Sequence, residues 1–389
     1  MGFPPGKHDD AGHGAVARGR DDRGKAPSRL SLHRTGAHRL IAAIAGLFLC
    51  LLAPAIHAGP LKVATYHVEL SRDGPGLLLR DILDGDPQVA AVARVVARAA
   101  PDVLALTGID HDDGLVALAA LRDVLAEAGI DYPHLFAQAP NSGLASFRDL
   151  DGDGRLGEPE DAQGWGRFAG AGGMAVLSRY PLRAGADFDA LLWAELPGTL
   201  MTEAERQRVG DVQRLSSTGH WIVEVAAPEG GFDLLLYCAT PPVFDGPEDR
   251  NGRRNADESL LWLRYLDGRL PVPRRDGPFV LLGKANLDPE DGEGRRGAIR
   301  TLLADPRLQD PRPSSPGGAA SGGGQRGPPA LDTADWSEPA PGNLRVDYVL
   351  PSAGWKIADA GVLWPAEDGK LPVTEASRHR LVWVELLPP

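Results

Sequence analysis

The chain has 389 residues, 43% hydrophobic and 24% charged, enough for one large core or two small ones and unlike the composition of a disordered or fibrous protein. Its formal charge of −12 argues against a broad basic surface for nonspecific grip on nucleic acid, although a local basic cleft stays open.

Residues 1–29 are polar and glycine-rich and are expected to be disordered, with a start misplaced upstream of the true one as the alternative. Arg34, His38 and Arg39 then precede an apolar run, Leu40 to Ile56, followed by small residues near Ala58. A basic stretch, a short apolar core and a small-residue end are the parts of a signal peptide; an N-terminal anchor helix is the alternative. Residues 1–58 therefore read as leader and signal peptide, placing the protein in the periplasm or outside the cell, with no stable membrane association after cleavage. That segment carries eight Lys/Arg and four Asp/Glu, a charge of +4 within the total of −12, so the remaining domain, 59–389, stands at −16. It keeps one cysteine, Cys238, and so has no internal disulfide. A buried, inert thiol is the expected state of Cys238.

Leu61 to Leu70 alternates and is β-branched, the pattern of a half-buried strand. Asp86-Pro87 opens a helix with Val89, Val92, Ala93, Val96 and Ala100 on one face. Asp102 to Ile109 reads as a second strand, and Leu115 to Ala128 as a second helix stopped by Gly129. Further strands are expected at 174–178, 220–226, 232–240, 279–286, 346–351 and 381–387. Asn255 with Glu258 resembles a capping box opening a helix to Leu266. Residues 311–342 are rich in Pro, Gly, Ser and Ala and are expected to form a long mobile loop. Strands interspersed with helices over about 330 residues imply a layered α/β domain.

Six segments, in order, resemble the endonuclease/exonuclease/phosphatase superfamily. They are Leu61-Lys-Val-Ala-Thr-Tyr66, Asp102-Val-Leu-Ala-Leu106, Gly173-Met-Ala-Val-Leu-Ser-Arg-Tyr-Pro181, Leu282-Gly-Lys-Ala-Asn286, Arg345-Val-Asp-Tyr-Val349 and Ser377-Arg-His379. The resemblance implies a four-layered α/β/β/α sandwich and metal-dependent cleavage of phosphoesters. It implies that a divalent metal, Mg2+ or Mn2+, neutralises the phosphate. A histidine paired with an acid activates water. By position, His379 and Asp347 match that pair, and Asn286 matches the asparagine that orients the phosphate. A strand-end ion pair with Arg345 is the alternative for Asp347.

Five positions depart from the family pattern. His67 stands for a metal-binding asparagine, Gly108 for a metal-binding glutamate, Cys238 for a second histidine, Lys284 for an aspartate, and Arg378 for the aspartate before the terminal histidine. An ammonium cannot replace a carboxylate at a metal; it either repels a cation or occupies its place as a fixed charge. Replacement ligands are available nearby. Glu69, two residues after His67, is expected on the same strand face. Asp110 follows Gly108 in a loop, and His67 itself suits Zn2+ or Mn2+.

Asp149 to Glu160 fits the calcium-loop pattern, with Asp149, Asp151 and Asp153 as side-chain ligands, Gly154 at the turn and Glu160 closing the shell. Paired EF-hand helices do not flank it, so it reads as an isolated Ca2+ loop; an acidic turn without metal is the alternative. Arg250, Arg253 and Arg254 follow the strand bearing Cys238, and guanidinium groups suit bidentate phosphate recognition. Pairing with Asp245, Glu248 and Asp249 is the alternative. Together these features imply an exported phosphoester hydrolase with an altered site, acting on a phosphate ester with nucleic acid among the candidates. The alternative is a catalytically silent, calcium-stabilised binding module of the same fold.

Overall fold

Asp86 and Pro87 show how directly local chemistry sets the elements of this chain. In the computed structural model the Asp86 carboxylate accepts the Val89 amide at 3.0 Å and Pro87 takes the first helical position. Residues 59–228, 230–338, 340–367 and 371–387 are described; the leader and signal-peptide reading of 1–58 lies outside them. The helices are α1 (Leu77–Leu83), α2 (Pro87–Ala99), α3 (Val116–Glu127), α4 (Glu203–Val209), α5 (Arg250–Leu266), α6 (Gly297–Leu303), α7 (Pro316–Ser321) and α8 (Val373–Ala376). No helix among the described residues is long and apolar enough to cross a membrane.

Among the described residues, eleven strands form two sheets. They are β1 (Leu61–Leu70), β2 (Val103–Ile109), β3 (His134–Phe136), β4 (Gly173–Ser178), β5 (Leu182–Asp187), β6 (Gly219–Val225), β7 (Phe232–Cys238), β8 (Phe279–Lys284), β9 (Asp347–Pro351), β10 (Lys356–Val362) and β11 (Val382–Leu387). One sheet has the order β10-β11-β1-β2-β4-β3 and the other β5-β6-β7-β8-β9. In each, one central pair is parallel, β1 with β2 and β7 with β8.

Period-2 alternation divides the second sheet between two cores. Leu234, Leu236, Val280, Leu282 and Val349 turn inward, into the cluster shared with β1, β2, α2 and α3. Their neighbours Leu235, Tyr237, Leu281, Tyr348 and Leu350 face the other way, onto Trp262 and Tyr265 of α5 and Ile299 and Leu302 of α6. The layers are therefore helix, sheet, sheet, helix: the α/β/β/α sandwich expected from the sequence.

One local expectation needs correction. The helix read from Asn255 begins five residues earlier, at Arg250, so Asn255 and Glu258 form no capping box. Instead Asn255 donates to the Thr240 and Ala285 carbonyls, and Glu258 accepts the Ser217 and Thr240 amides. The described residues of 311–342 carry short elements and tertiary contacts of their own. Ser315 caps α7, Thr333 and Ala334 pair with Leu344, and Gly317 lies where a Cβ would come within 2.2 Å of the Trp364 ring. Here small residues serve close packing, which composition alone cannot separate from mobility.

Candidate functional site

The chain ends of β1, β2, β7 and β8 and the start of antiparallel β9 lie at one edge of the sandwich, where the last turn before β11 joins them. At that edge His379 Nδ1 lies 2.7 Å from Asp347 Oδ2, with both side chains almost wholly buried. The carboxylate can only accept, so Nδ1 carries the proton and Nε2 is the basic nitrogen. Thr333 fixes the acid. Its hydroxyl donates to Asp347 Oδ2 at 3.0 Å and accepts the amides of Val346 and Asp347. Trp336 meets the His379 ring edge-on at 5.1 Å, and the His67 ring does so from another side at 4.4 Å. Asn286, held at a left-handed φ of 53°, donates its amide to the Ala239 carbonyl at 2.8 Å. The structure thus brings together His379, Asp347, Asn286 and His67, all singled out from the sequence.

His67 is the pivot of the altered positions. Its Nε2 lies 3.2 Å from Lys284 Nζ and its Nδ1 lies 3.0 Å from Thr107 Oγ1. An ammonium only donates, so Nε2 accepts and Nδ1–H points to the threonine. Burial, then the Lys284 charge, then His379 and Arg378 push the imidazole well below its ordinary pKa, so the ring is neutral. Gly108 lies under this ring: a Cβ there would stand 2.4 Å from His67 Cε1 and 2.8 Å from Nδ1, at a φ of +71°. Lys284 is the Cα partner of Cys238 on β7 and of Asp347 on β9. Cys238 is buried, and burial pushes its thiol up.

Glu69, expected beside His67 as a metal ligand, has a different partner. The register of β1 against β2 shifts between His67 and Leu70, and Glu69 sits at a left-handed φ of 50°. This bulge re-aims the carboxylate at Arg378, whose amide and Nε each donate at 2.8 Å, with Nη2 beside them and Ser377 Oγ at 3.1 Å. Burial opposes ionisation of Glu69, but the Arg378 hydrogen bonds outweigh it and hold the carboxyl below the usual range. Asp110 is likewise spent, accepting Ser71 Oγ, the Arg72 amide and the Gly172 amide at 2.8 to 2.9 Å.

The fit of a divalent cation follows from these partners. Among the described residues of this edge, Glu69 and Asp110 are committed elsewhere, and Asp347 serves His379 and Thr333 through Oδ2 while its buried Oδ1 has no hydrogen-bond partner. The remaining lone pair of His67 faces an ammonium. One free oxygen beside an ammonium falls short of the several oxygen ligands Mg2+ or Mn2+ takes, so the residues do not fit either cation; His67, Glu69 and Asp110, expected as its ligands, are each engaged with another partner here.

The three arginines of α5 also take a different role. Because the helix starts at Arg250, they lie on its first turns and point into the molecule. Arg253 makes a double contact with Glu205 at 2.5 and 2.8 Å. Arg254 donates to the Leu215, Gln163 and Arg214 carbonyls, and Arg250 to Gln213 Oε1. They hold α5 against α4 and the 213–217 segment rather than binding substrate.

Asp149, Asp151 and Asp153 bring carboxylate oxygens within 4.8 Å of one another. Asp149 already folds the loop by accepting the Gly152 and Gly154 amides. Glu160 instead accepts Trp165 Nε1 at 3.1 Å, outside this triad, and Asp161 ties the loop by accepting the Leu150 and Gly157 amides.

Sequence reasoning missed Thr107, Thr333 and Trp336. The available signal was Leu331-Asp-Thr-Ala-Asp-Trp336, an apolar and hydrogen-bonding run inside an otherwise Gly/Pro-rich tract.

The model of the endonuclease/exonuclease/phosphatase family matches residues 76–379. Among solved structures, the chain is similar to an endonuclease/exonuclease/phosphatase from Beutenbergia cavernae DSM 12333, with 19% identity and a TM-score of 0.52, covering 85% of this chain and 72% of that one. It also aligns with sphingomyelinase C from Streptomyces griseocarneus, at 17% identity and a TM-score of 0.45 over 84% of this chain and 99% of that one. A mannosyl-6-phosphatase from Bacteroides thetaiotaomicron VPI-5482 aligns at 14% identity and a TM-score of 0.44, over 84% and 99%. No protein with a curated description matches the sequence.

Proposed function

The chain belongs to the endonuclease/exonuclease/phosphatase family, a phosphoesterase superfamily, and from that premise we propose that it is an exported hydrolase of phosphate esters. The observation that carries the reading is the 2.7 Å contact between His379 Nδ1 and Asp347 Oδ2, braced by Thr333. An imidazole so oriented presents Nε2 as a general base. It takes a proton from water as the water oxygen bonds to phosphorus and the ester oxygen departs, to be protonated by solvent. Asn286 and Lys284 stand at the same edge to hold the phosphate oxygens. The Asp149–Asp153 loop is proposed to bind Ca2+ as a stabilising clasp, and the leader at 1–58 to direct export.

One observation favours a second reading, a module that binds a phosphate ester without cleaving it. His379 is only 2% exposed, with Trp336 and His67 against its ring. Hydrolysis of bis-p-nitrophenyl phosphate and p-nitrophenyl phosphate by the 59–389 domain, beside His379→Ala, decides between them. Turnover lost in the variant supports the hydrolase. No turnover of either ester by folded protein, with binding of one retained, selects the module.

A further inference from the structure

Resting on the reading of this edge as a phosphate-ester site, we propose that the Lys284 ammonium stands in for the divalent cation. The phosphate would then meet a charge fixed to the protein's own chain. The backbone places this charge. Lys284 is the last residue of β8 and is flanked in register by Cys238 and Asp347, at the edge where His379 and Asn286 converge. His67 then holds it, accepting one Nζ–H at 3.2 Å and leaving the other ammonium protons for a ligand. Because the imidazole is also anchored on Thr107, the lysine head is positioned rather than swinging on its stem.

The same arrangement excludes a metal. The His67 lone pair is spent on the ammonium, and the imidazole fills the volume above Gly108, where any side chain would collide with it. A cation brought to this point would face the Lys284 charge, with a single oxygen, Asp347 Oδ1, left without a hydrogen-bond partner to offset it. Arg378 adds a second positive group nearby. Glu69 holds its guanidinium, yet its side chain remains 64% exposed. A tethered ammonium and an exposed guanidinium recognise an oxyanion through charge-assisted hydrogen bonds. The ligand class is therefore a phosphate group, ester or free, bound without metal.

Two measurements test this on the full chain carrying Asp149→Asn, Asp151→Asn and Asp153→Asn, which removes the other acidic cluster. First, free Mn2+ is followed by electron paramagnetic resonance during titration. The parent takes up none at the edge. Lys284→Asp, which frees His67 Nε2 and adds a carboxylate, gains one site. Stoichiometric uptake by the parent that Lys284→Asp does not increase overturns the proposal.

Second, calorimetric titration with p-nitrophenyl phosphate and with inorganic phosphate is run with and without EDTA, using His379→Ala to prevent turnover. Affinity is expected to be indifferent to EDTA, about ten-fold or more weaker in Lys284→Met, and largely kept in Lys284→Arg. The two ligands separate an ester site from a free-phosphate site. Binding abolished by EDTA, or unchanged in Lys284→Met, overturns the proposal while leaving the phosphate-ester reading intact. Should folded protein bind neither ligand, it is the phosphate-ester reading that falls. The Mn2+ titration then still decides whether Lys284 keeps the cation out.

Discussion

Replacing Gly108 with alanine tests the packing on which the altered edge is built. The residue has a φ of +71°, where a side chain costs about 1 to 2 kcal/mol. The added Cβ would also lie 2.4 Å from His67 Cε1, so the imidazole must swing away. That swing breaks its bond to Thr107, worth about 0.5 to 1.5 kcal/mol, and its bond from the Lys284 ammonium, worth about 1.5 to 3 kcal/mol. Gly108→Ala should therefore destabilise the domain by roughly 3 to 6 kcal/mol. In a His67→Ala background the collision and both hydrogen bonds are already gone, and only the backbone cost of about 1 to 2 kcal/mol remains. Urea unfolding of the four proteins of this cycle, followed by tryptophan fluorescence, gives the coupling directly. The expected value is about 2 to 4 kcal/mol. Equal costs of Gly108→Ala in both backgrounds would refute the claim that His67 owes its position to the missing side chain at 108.

Two other predictions concern stability away from this edge. His220 is wholly buried, its Nε2–H donating to the Glu258 carbonyl and its Nδ1 accepting from Ser216 Oγ. Burial, partly offset by the Glu258 carbonyl, pushes its pKa down to about 3. With the folded value depressed, its contribution is complete above the unfolded pKa of about 6.5 and is lost as pH falls towards 3, at about 1.4 kcal/mol per unit. The loss of unfolding free energy between pH 6 and pH 4 should therefore be smaller in His220→Gln, and parallel profiles would contradict this. At the acidic loop, 10 mM Ca2+ at a dissociation constant of about 0.1 to 1 mM should add about 1.4 to 2.7 kcal/mol. Calorimetry should show a Tm rise of several degrees that Asp151→Asn removes, and a rise of equal size in that variant would place calcium elsewhere.

What the sequence disclosed depends on how local the responsible physics is. The β1 strand, the Asp86 cap and the short apolar strands β7 and β8 were readable because their signals lie within a few residues. The partners Asp347 and His379, separated by 32 residues, were readable through motif position instead. Glu69 was given the wrong partner because its carboxylate meets Arg378, 309 residues away, from a left-handed position in a bulge, and neither feature is visible to strand periodicity. The α5 arginines were misread because their partners lie 37 to 91 residues away, in segments whose approach is tertiary. Thr333 and Trp336 were hidden inside a tract whose composition signals loops, although glycine also permits close packing.

The altered positions gain their meaning from one another. Taken singly, His67, Gly108 and Lys284 each read as the loss of a metal ligand. Yet Lys284 and His67, 217 residues apart, share a hydrogen bond, and His67 occupies the volume that a side chain at 108 would claim. Each departure is thus the condition for another. A lysine at 284 needs a neutral acceptor, an imidazole at 67 supplies one, and that imidazole needs a glycine beneath it. The same holds at the rim, where Arg378 is anchored by a Glu69 that a bulge has turned towards it. An eroded site would leave buried charges without partners, at several kcal/mol each. Here the ammonium and the bulged carboxylate are both paired, and Asp347 Oδ1 alone of this group is buried without a hydrogen-bond partner; on the proposed reading, position 284 decides whether the lone pair of His67 serves an ammonium or becomes available to a metal.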